Sequence, residues 1–191
     1  MNNNVKKFEA AECYICNSNK VKFHSEVNGF VVAKCNDCGL LWVVNISKND
    51  IGSFYNENYF NNESKMGYRN YFEDETIHRG NARRILDIVN RIKDLANLKI
   101  LDMGCAFGFL LDEARRLKTC DAYGIELSRY AREYAEKKLG LTNISKDDEM
   151  HNVKSDFFDV IFLIGTLEHL VSPKETLRNI GRVLRQGGCW L

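Results

Sequence analysis

Two groups of residues in this chain have the types and spacing to do chemistry. The first is a pair of C-x-x-C steps, Cys13-Tyr14-Ile15-Cys16 and Cys35-Asn36-Asp37-Cys38, with eighteen residues between them. Two residues between thiolates let a tight turn aim both sulfurs at one ion, and two such turns complete the closed tetrahedron that Zn2+ takes in structural sites. A closed shell leaves no open coordination position, so Cys13, Cys16, Cys35 and Cys38 are expected to hold a structural Zn2+ rather than a catalytic one. His24 lies between the pairs, but four cysteines already fill the shell. Cys105, Cys120 and Cys189 show no pairing pattern and read as small core residues.

The second group begins at Lys99-Ile100-Leu101-Asp102-Met103-Gly104-Cys105-Ala106-Phe107-Gly108, a buried strand running into a glycine-containing loop. A helix follows, with Phe107, Leu110, Leu111, Ala114 and Leu117 on its apolar face, and strand, loop and helix make the first half of a doubly wound α/β unit. A dinucleotide fingerprint would need glycines at 104, 106 and 109, and the chain has Ala106 and Phe109. Ala122-Tyr123-Gly124-Ile125-Glu126 is a second strand ending in a carboxylate, where such folds place the acid that grips ribose hydroxyls. Phe157 to Gly165 is an almost continuous apolar strand, as in the centre of a sheet covered on both faces. Past its end lies Thr166-Leu167-Glu168-His169-Leu170, where open α/β sheets build active sites. An imidazole suits proton removal near neutrality, so His169 is either a general base or a residue that fixes loop backbone.

Taken in order, these segments resemble the class I S-adenosylmethionine-dependent methyltransferases. Asp102 to Gly108 is similar to their Asp-x-Gly-x-Gly-x-Gly motif, with Ala106 at the central glycine. Arg185-Gln186-Gly187-Gly188 is similar to their Leu-x-Pro-Gly-Gly turn, with Gln186 in place of proline. The resemblance implies cofactor contacts from Asp102, Gly104, Cys105, Ala106, Gly108, Glu126 and Leu127. It also implies an acid near the adenine amino group, for which Asp147 and Asp148 are alternatives beside a plain solvated loop. Asp159 is expected to fix loop structure rather than to touch substrate.

The elements that must position these groups follow from periodicity. Asn28-Gly29 between Val21, Phe23, Val27 and Phe30, Val31, Val32 predicts a short hairpin joining two cysteine knuckles, and Leu40 to Val44 a following strand; the module resembles a zinc ribbon. About 30 residues cannot cohere by apolar burial alone, so the metal would supply the folding energy. Phe54, Tyr55, Tyr59, Phe60, Tyr68, Tyr71 and Phe72 make an aromatic connector, either a lid over a cofactor cleft or packing between modules. From Thr76, the apolar residues Ile77, Ile85, Leu86, Val89, Ile92 and Leu95 recur at helical spacing. Ser128 and Ser172 are expected helix caps, Gly140 a helix stop, and Leu141 to Ser145 a short strand.

The expected architecture is therefore a zinc-ribbon-like module over 1–44, an aromatic connector or lid over 45–75, and a cofactor-binding domain over 76–191. The last is a Rossmann-like, doubly wound parallel sheet with helices on both faces, ending after its fifth strand. The family sheet continues further, so a fragment of a longer protein is expected.

Composition narrows the partners. With 27 basic and 26 acidic side chains the formal charge is +1, which supplies no global field toward nucleic acid or an anionic membrane. No apolar run approaches the roughly 20 residues that span a bilayer, and Met1 to Lys7 lacks the apolar stretch of a secretory signal, so a cytoplasmic protein is expected. The layout as a whole resembles bacterial small-molecule methyltransferases, including those acting on sugars. It implies S-adenosylmethionine as cofactor and a small-molecule acceptor, with a zinc-containing RNA methyltransferase and a non-catalytic binding protein as alternatives.

Overall fold

The computed structural model describes residues 12–45, 57–60, 71–118, 120–146, 149–170 and 172–191. The chain divides into two compact units, Met1–Asp50 and Ile51–Leu191.

In the first unit, β1 (Val21–Val27), β2 (Phe30–Cys35) and β3 (Leu41–Val43) form an antiparallel sheet in the order β1-β2-β3. Asn28 and Gly29 both have positive φ, 52° and 82°, and Val27 pairs with Phe30 across them. Two left-handed residues in a two-residue loop match the right-handed twist of the strands, which is why Asn-Gly is favoured there.

The second unit is built on a five-stranded parallel sheet in the order β6-β5-β4-β7-β8. Its strands are β4 (Lys99–Met103), β5 (Asp121–Ile125), β6 (Ile144–Ser145), β7 (Phe158–Phe162) and β8 (Leu184–Trp190). The helices are α1 (Glu57–Phe60), α2 (Glu75–Ile92), α3 (Phe109–Leu117), α4 (Arg129–Leu139) and α5 (Pro173–Val183). Alternation along the strands sends side chains to two cores. Ile100, Ala122, Val160 and Phe162 meet Leu86 and Val89 of α2, Leu111 and Ala114 of α3 and Ala135 of α4. On the other face Leu101, Met103, Ile161 and Leu163 meet Ile180 and Val183 of α5. Helices thus cover both faces of the sheet.

Several local expectations need correction. The buried stripe of α2 is Ala82, Leu86 and Val89, whereas Ile77 and Ile92 at its ends are exposed, because only the middle turns meet the core. The strand expected over Leu141 to Ser145 shrinks to two residues, since Leu141 is spent on packing and its N–H bonds Ala135 O behind the α4 stop. Ser128 caps α4 as expected, accepting from the Ala131 N–H, but the Ser172 side chain makes no cap bond. Helix α5 ends at Val183 and β8 begins at Leu184, so the glycine turn is not a separate loop. Phe158 pairs with Leu184 and Val160 with Cys189, which makes Arg185 to Gly188 an irregular bulge inside β8, opposite Asp159 alone, with Gly187 at φ 74°.

Candidate cofactor site and metal centre

The four cysteines converge. Sγ of Cys13 lies 3.6 Å from that of Cys38, Sγ of Cys16 lies 3.6 Å from that of Cys35, and all four fall within 4.8 Å of one another. A zinc–sulfur bond of about 2.3 Å implies tetrahedron edges of about 3.8 Å, so the donor set fits that ion in number, type and spread. The two knuckles repeat one backbone device. Asn17 after Cys16 and Gly39 after Cys38 are both left-handed, at φ 58° and 79°, and their N–H groups donate to the carbonyls of Cys13 and Cys35. Asparagine tolerates that region better than other side chains, so Asn17 was a readable signal for the first knuckle. The Cys35 thiol is held down to about 6, chiefly by the Cys38 backbone N–H that donates to its sulfur. His24 lies on β1 and is not one of the clustered ligands.

In the second unit the loop after β4 explains its own spacing. Gly104, Ala106 and Gly108 are all left-handed, at φ 76°, 47° and 80°, so every second residue sits where a Cβ is costly. Two of them are doubly constrained. A Cβ on Gly104 would lie 2.4 Å from Thr166 Oγ1, and one on Gly108 would lie 2.4 Å from Leu141 Cδ1. Ala106 carries its Cβ in the strained position. The loop is stapled to the end of β5, since the N–H groups of Gly104 and Cys105 donate to Ile125 O at 2.7 and 3.1 Å.

Glu126 stands just beyond β5, 6% exposed, with both oxygens oriented. Oε2 accepts the Ala106 N–H at 2.9 Å and Oε1 the Ser128 N–H at 2.7 Å. Each oxygen keeps acceptor capacity for a further donor, an arrangement suited to a vicinal diol. Burial raises its pKa, while the Ser128 and Ala106 N–H groups and the Arg132 guanidinium oppose the rise. Arg132, which the sequence did not single out, donates to the carbonyls of Glu126 and Leu127 at 2.6 and 2.7 Å and holds the strand end in place. Leu127 itself is exposed, as is Ile164 at the end of β7, and both offer apolar surface at the sheet's carboxyl edge.

Asp102 lies next to this edge on β4, across from Gly124, and is 6% exposed. Burial, and secondarily the Glu126 charge, push its carboxyl up to about 7. Thr166 bridges the neighbouring strand ends by donating from Oγ1 to Met103 O at 2.7 Å. Beyond it, the 3-10 turn Leu167–His169 carries His169 exposed on the same side of the sheet, with its N–H bonded to Thr166 O at 2.9 Å. Asp147 and Asp148 lie outside the described residues. Cys105 is buried beside the loop, its thiol raised well above its usual value by burial and by Asp102 and Glu126.

Asp159 is on β7 but at the opposite edge of the sheet, where it accepts the Lys99 N–H at 2.9 Å and both close contacts from Arg185 Nη1. It ties three strands together and stands away from the loop edge. Of the connector aromatics, Phe54, Tyr55 and Tyr68 lie outside the described residues. Phe60, Tyr71 and Phe72 pack against Phe107 of the glycine loop, at ring-centroid distances of 4.9, 4.9 and 4.6 Å.

A doubly wound α/β domain with a left-handed glycine loop and an oriented carboxylate at the next strand end defines the nucleoside-cofactor class of proteins. Within it, residues 101–191 match the family described as methyltransferase domain. The chain is 24% identical over 123 residues to a ubiquinone biosynthesis O-methyltransferase of Neisseria meningitidis, covering 61% of this chain and 51% of that protein. It is 33% identical over 103 residues to a tRNA U34 carboxymethyltransferase of Desulfotalea psychrophila, covering 51% and 32%. Its fold is similar to that of a SAM-dependent methyltransferase from Archaeoglobus fulgidus, with a TM-score of 0.50 at 18% identity over 60% of this chain and 52% of that one. The chain spans about half or less of the length of these curated relatives. Over residues 101–191 the α/β unit is thus similar in sequence to methyltransferase domains, and its fold is that of their doubly wound sheet. Among the described residues no helix is long and apolar enough to cross a membrane.

Proposed function

We propose that this chain binds S-adenosylmethionine along the carboxyl edge of β4, β5 and β7 and serves methyl transfer to a small-molecule acceptor of the sugar or sugar-nucleotide class. The observation that carries the reading is Glu126, a carboxylate fixed by Ala106 and Ser128 beside the glycine loop. In this reading Glu126 takes the ribose hydroxyls, and Leu127 and Ile164 flank the adenine, with Asp147 or Asp148 as the acid toward its amino group. The backbone of Gly104, Cys105, Ala106 and Gly108, together with Asp102, holds the methionine end.

The sulfonium donor is already activated, so the chain's task is to align nucleophile, methyl and sulfur and to exclude water. An oxygen acceptor also needs its proton removed, and His169 at the same edge is the group we assign to that step. The sugar class rests on the resemblance of the whole layout. The tRNA enzyme among the relatives favours RNA as a second reading, against which stands the near-balanced charge. RNA binding that weakens steeply with salt would favour it. In the same proposal the first unit holds a structural Zn2+ in a cytoplasmic protein, where its thiols stay reduced.

Calorimetry with S-adenosylmethionine tests the central claim. Glu126→Gln keeps the shape and removes the charge, and it is expected to weaken binding by about tenfold to a hundredfold, the worth of hydrogen bonds to a charged group. Equal affinity in the two proteins would remove Glu126 from the site.

A further inference from the structure

Phe107, expected on the apolar face of the following helix, instead lies inside the glycine loop, because Gly108 caps α3 and the helix starts at Phe109; it is the one bulky residue of the loop and is fully buried. Its ring sits in a socket made by Phe60, Tyr71 and Phe72 on one side and by Tyr130 and Tyr134 of α4 on the other, all with centroids within 5.7 Å. The two connector pieces are tied to each other as well, since the Tyr71 N–H donates to Phe60 O at 3.1 Å. The residue before Phe107 is Ala106, left-handed at φ 47°, whose N–H donates to Glu126 Oε2. A non-glycine residue in that region is strained and persists only when its surroundings over-determine it.

We propose that Phe107 is a positioning residue for the cofactor: docked in the connector's aromatic socket, it locks Ala106 in its left-handed conformation and so keeps the Ala106 N–H on the Glu126 carboxylate. The proposal rests on the cofactor reading above and adds a route by which the connector acts on it. Phe107 touches no reacting group in this scheme. If its ring leaves the socket, Ala106 relaxes toward right-handed or extended backbone, its N–H turns away, and Oε2 loses its orientation. Glu126 then grips a diol less selectively, while β4, β5 and their helices stay as they are.

The test compares binding of S-adenosylhomocysteine and its 2′-deoxyribose analogue by calorimetry on the full chain, in wild type, Phe107→Leu and Phe72→Leu. Wild type is expected to prefer the intact diol by about tenfold or more. Phe107→Leu should compress that preference to about threefold or less, and Phe72→Leu, which is half-buried at the socket and away from the loop backbone, should shift it in the same direction by less. A merely structural role for Phe107 would weaken both ligands equally and leave their ratio unchanged. Where Phe107→Leu does not fold, Phe72→Leu decides. A full wild-type preference that survives substitution overturns this proposal alone. Absence of binding to the unmodified chain, or binding with no preference for the diol, overturns the cofactor reading and this proposal with it.

Discussion

The two units are held together by different physics. In Met1–Asp50 the described residues that are fully buried are Cys13, Ala33 and Cys35, while Phe23, Val27 and Leu41 are about half exposed. Among the described residues there, nothing larger than alanine or cysteine is fully removed from water, and apolar burial of that size cannot offset the cost of ordering three strands. In Ile51–Leu191 the sheet alternates into two large cores, and Leu86, Ile100, Leu111, Phe107, Ile161 and Ile180 are essentially inaccessible. One unit folds around a donor set, the other around its side chains. A few residues therefore decide the first unit's existence, whereas single positions in the second tune its site.

Removing the proposed Zn2+ breaks this comparison most directly. The site free energy of a structural zinc is roughly 10–16 kcal/mol, far more than the first unit can supply from burial. Cys35→Ser or a strong chelator is expected to abolish amide protection over Val21–Val43 while that of Lys99–Met103 and Phe158–Phe162 persists. Zinc quantification should give one ion per chain before treatment. Protection of the ribbon strands in metal-free protein would show that the cysteines are ordinary core residues.

Gly104→Ala probes the second unit at its tightest point. The new Cβ meets Thr166 Oγ1 at 2.4 Å in a left-handed backbone, so Thr166 must give up its bond to Met103 O or the loop must move. Overpacking and strain together are expected to cost about 2–4 kcal/mol, read as a lower Tm, with a loss of S-adenosylmethionine affinity. An unchanged Tm would mean that the loop is far softer than its contacts imply.

Asp102 gives a smaller effect whose sign is fixed by its burial. Its folded pKa of about 7 lies above the unfolded value near 4, so between those limits the native chain holds a proton that the unfolded chain has lost. Stability is greatest at the acid end of that window and falls as pH rises through it, levelling off above 7, by at most about 1.4 kcal/mol per pH unit. Asp102→Asn should flatten this slope and gain most over wild type near pH 8. Glu126, raised in the same sense, leaves a residual slope. Parallel stability curves for the two proteins would show that Asp102 stays ionised in the folded site.

Much of this architecture could be read from the chain. Two C-x-x-C pairs, Asn28-Gly29, the Ser128 cap and the Asp102–Gly108 spacing are local patterns whose geometry depends on residues a few positions apart. Less legible were contacts between distant segments. Arg79 of α2 meets Asp112 and Glu113 of α3 at 2.7 and 2.8 Å, and Arg182 of α5 donates to the carbonyls of Met150 and Val153. Charged residues on amphipathic helices read as solvated faces until the packing of those helices is known. Ser172 failed as a cap, although its sequence context matched, because its φ and ψ of −127° and 63° leave the side chain without a bond to the first-turn N–H groups. The glycine pair at 187 and 188 carried a correct signal for irregular backbone, but a bulge and a turn use the same residues.

The smallest expected effect isolates the one residue where the loop departs from an all-glycine pattern. Ala106 holds φ 47° with a Cβ, so Ala106→Gly relieves about 1 kcal/mol of left-handed strain in the folded state. Glycine also enlarges the conformational freedom of the unfolded chain, which costs about 0.4–1 kcal/mol in the other direction. The two terms nearly cancel, and Tm should stay within a few degrees of wild type. A large stabilisation would mean that the loop stores more strain than one left-handed residue explains. A large loss would mean that the methyl group packs, half-buried against the Phe60–Phe107 cluster, more firmly than its exposure suggests.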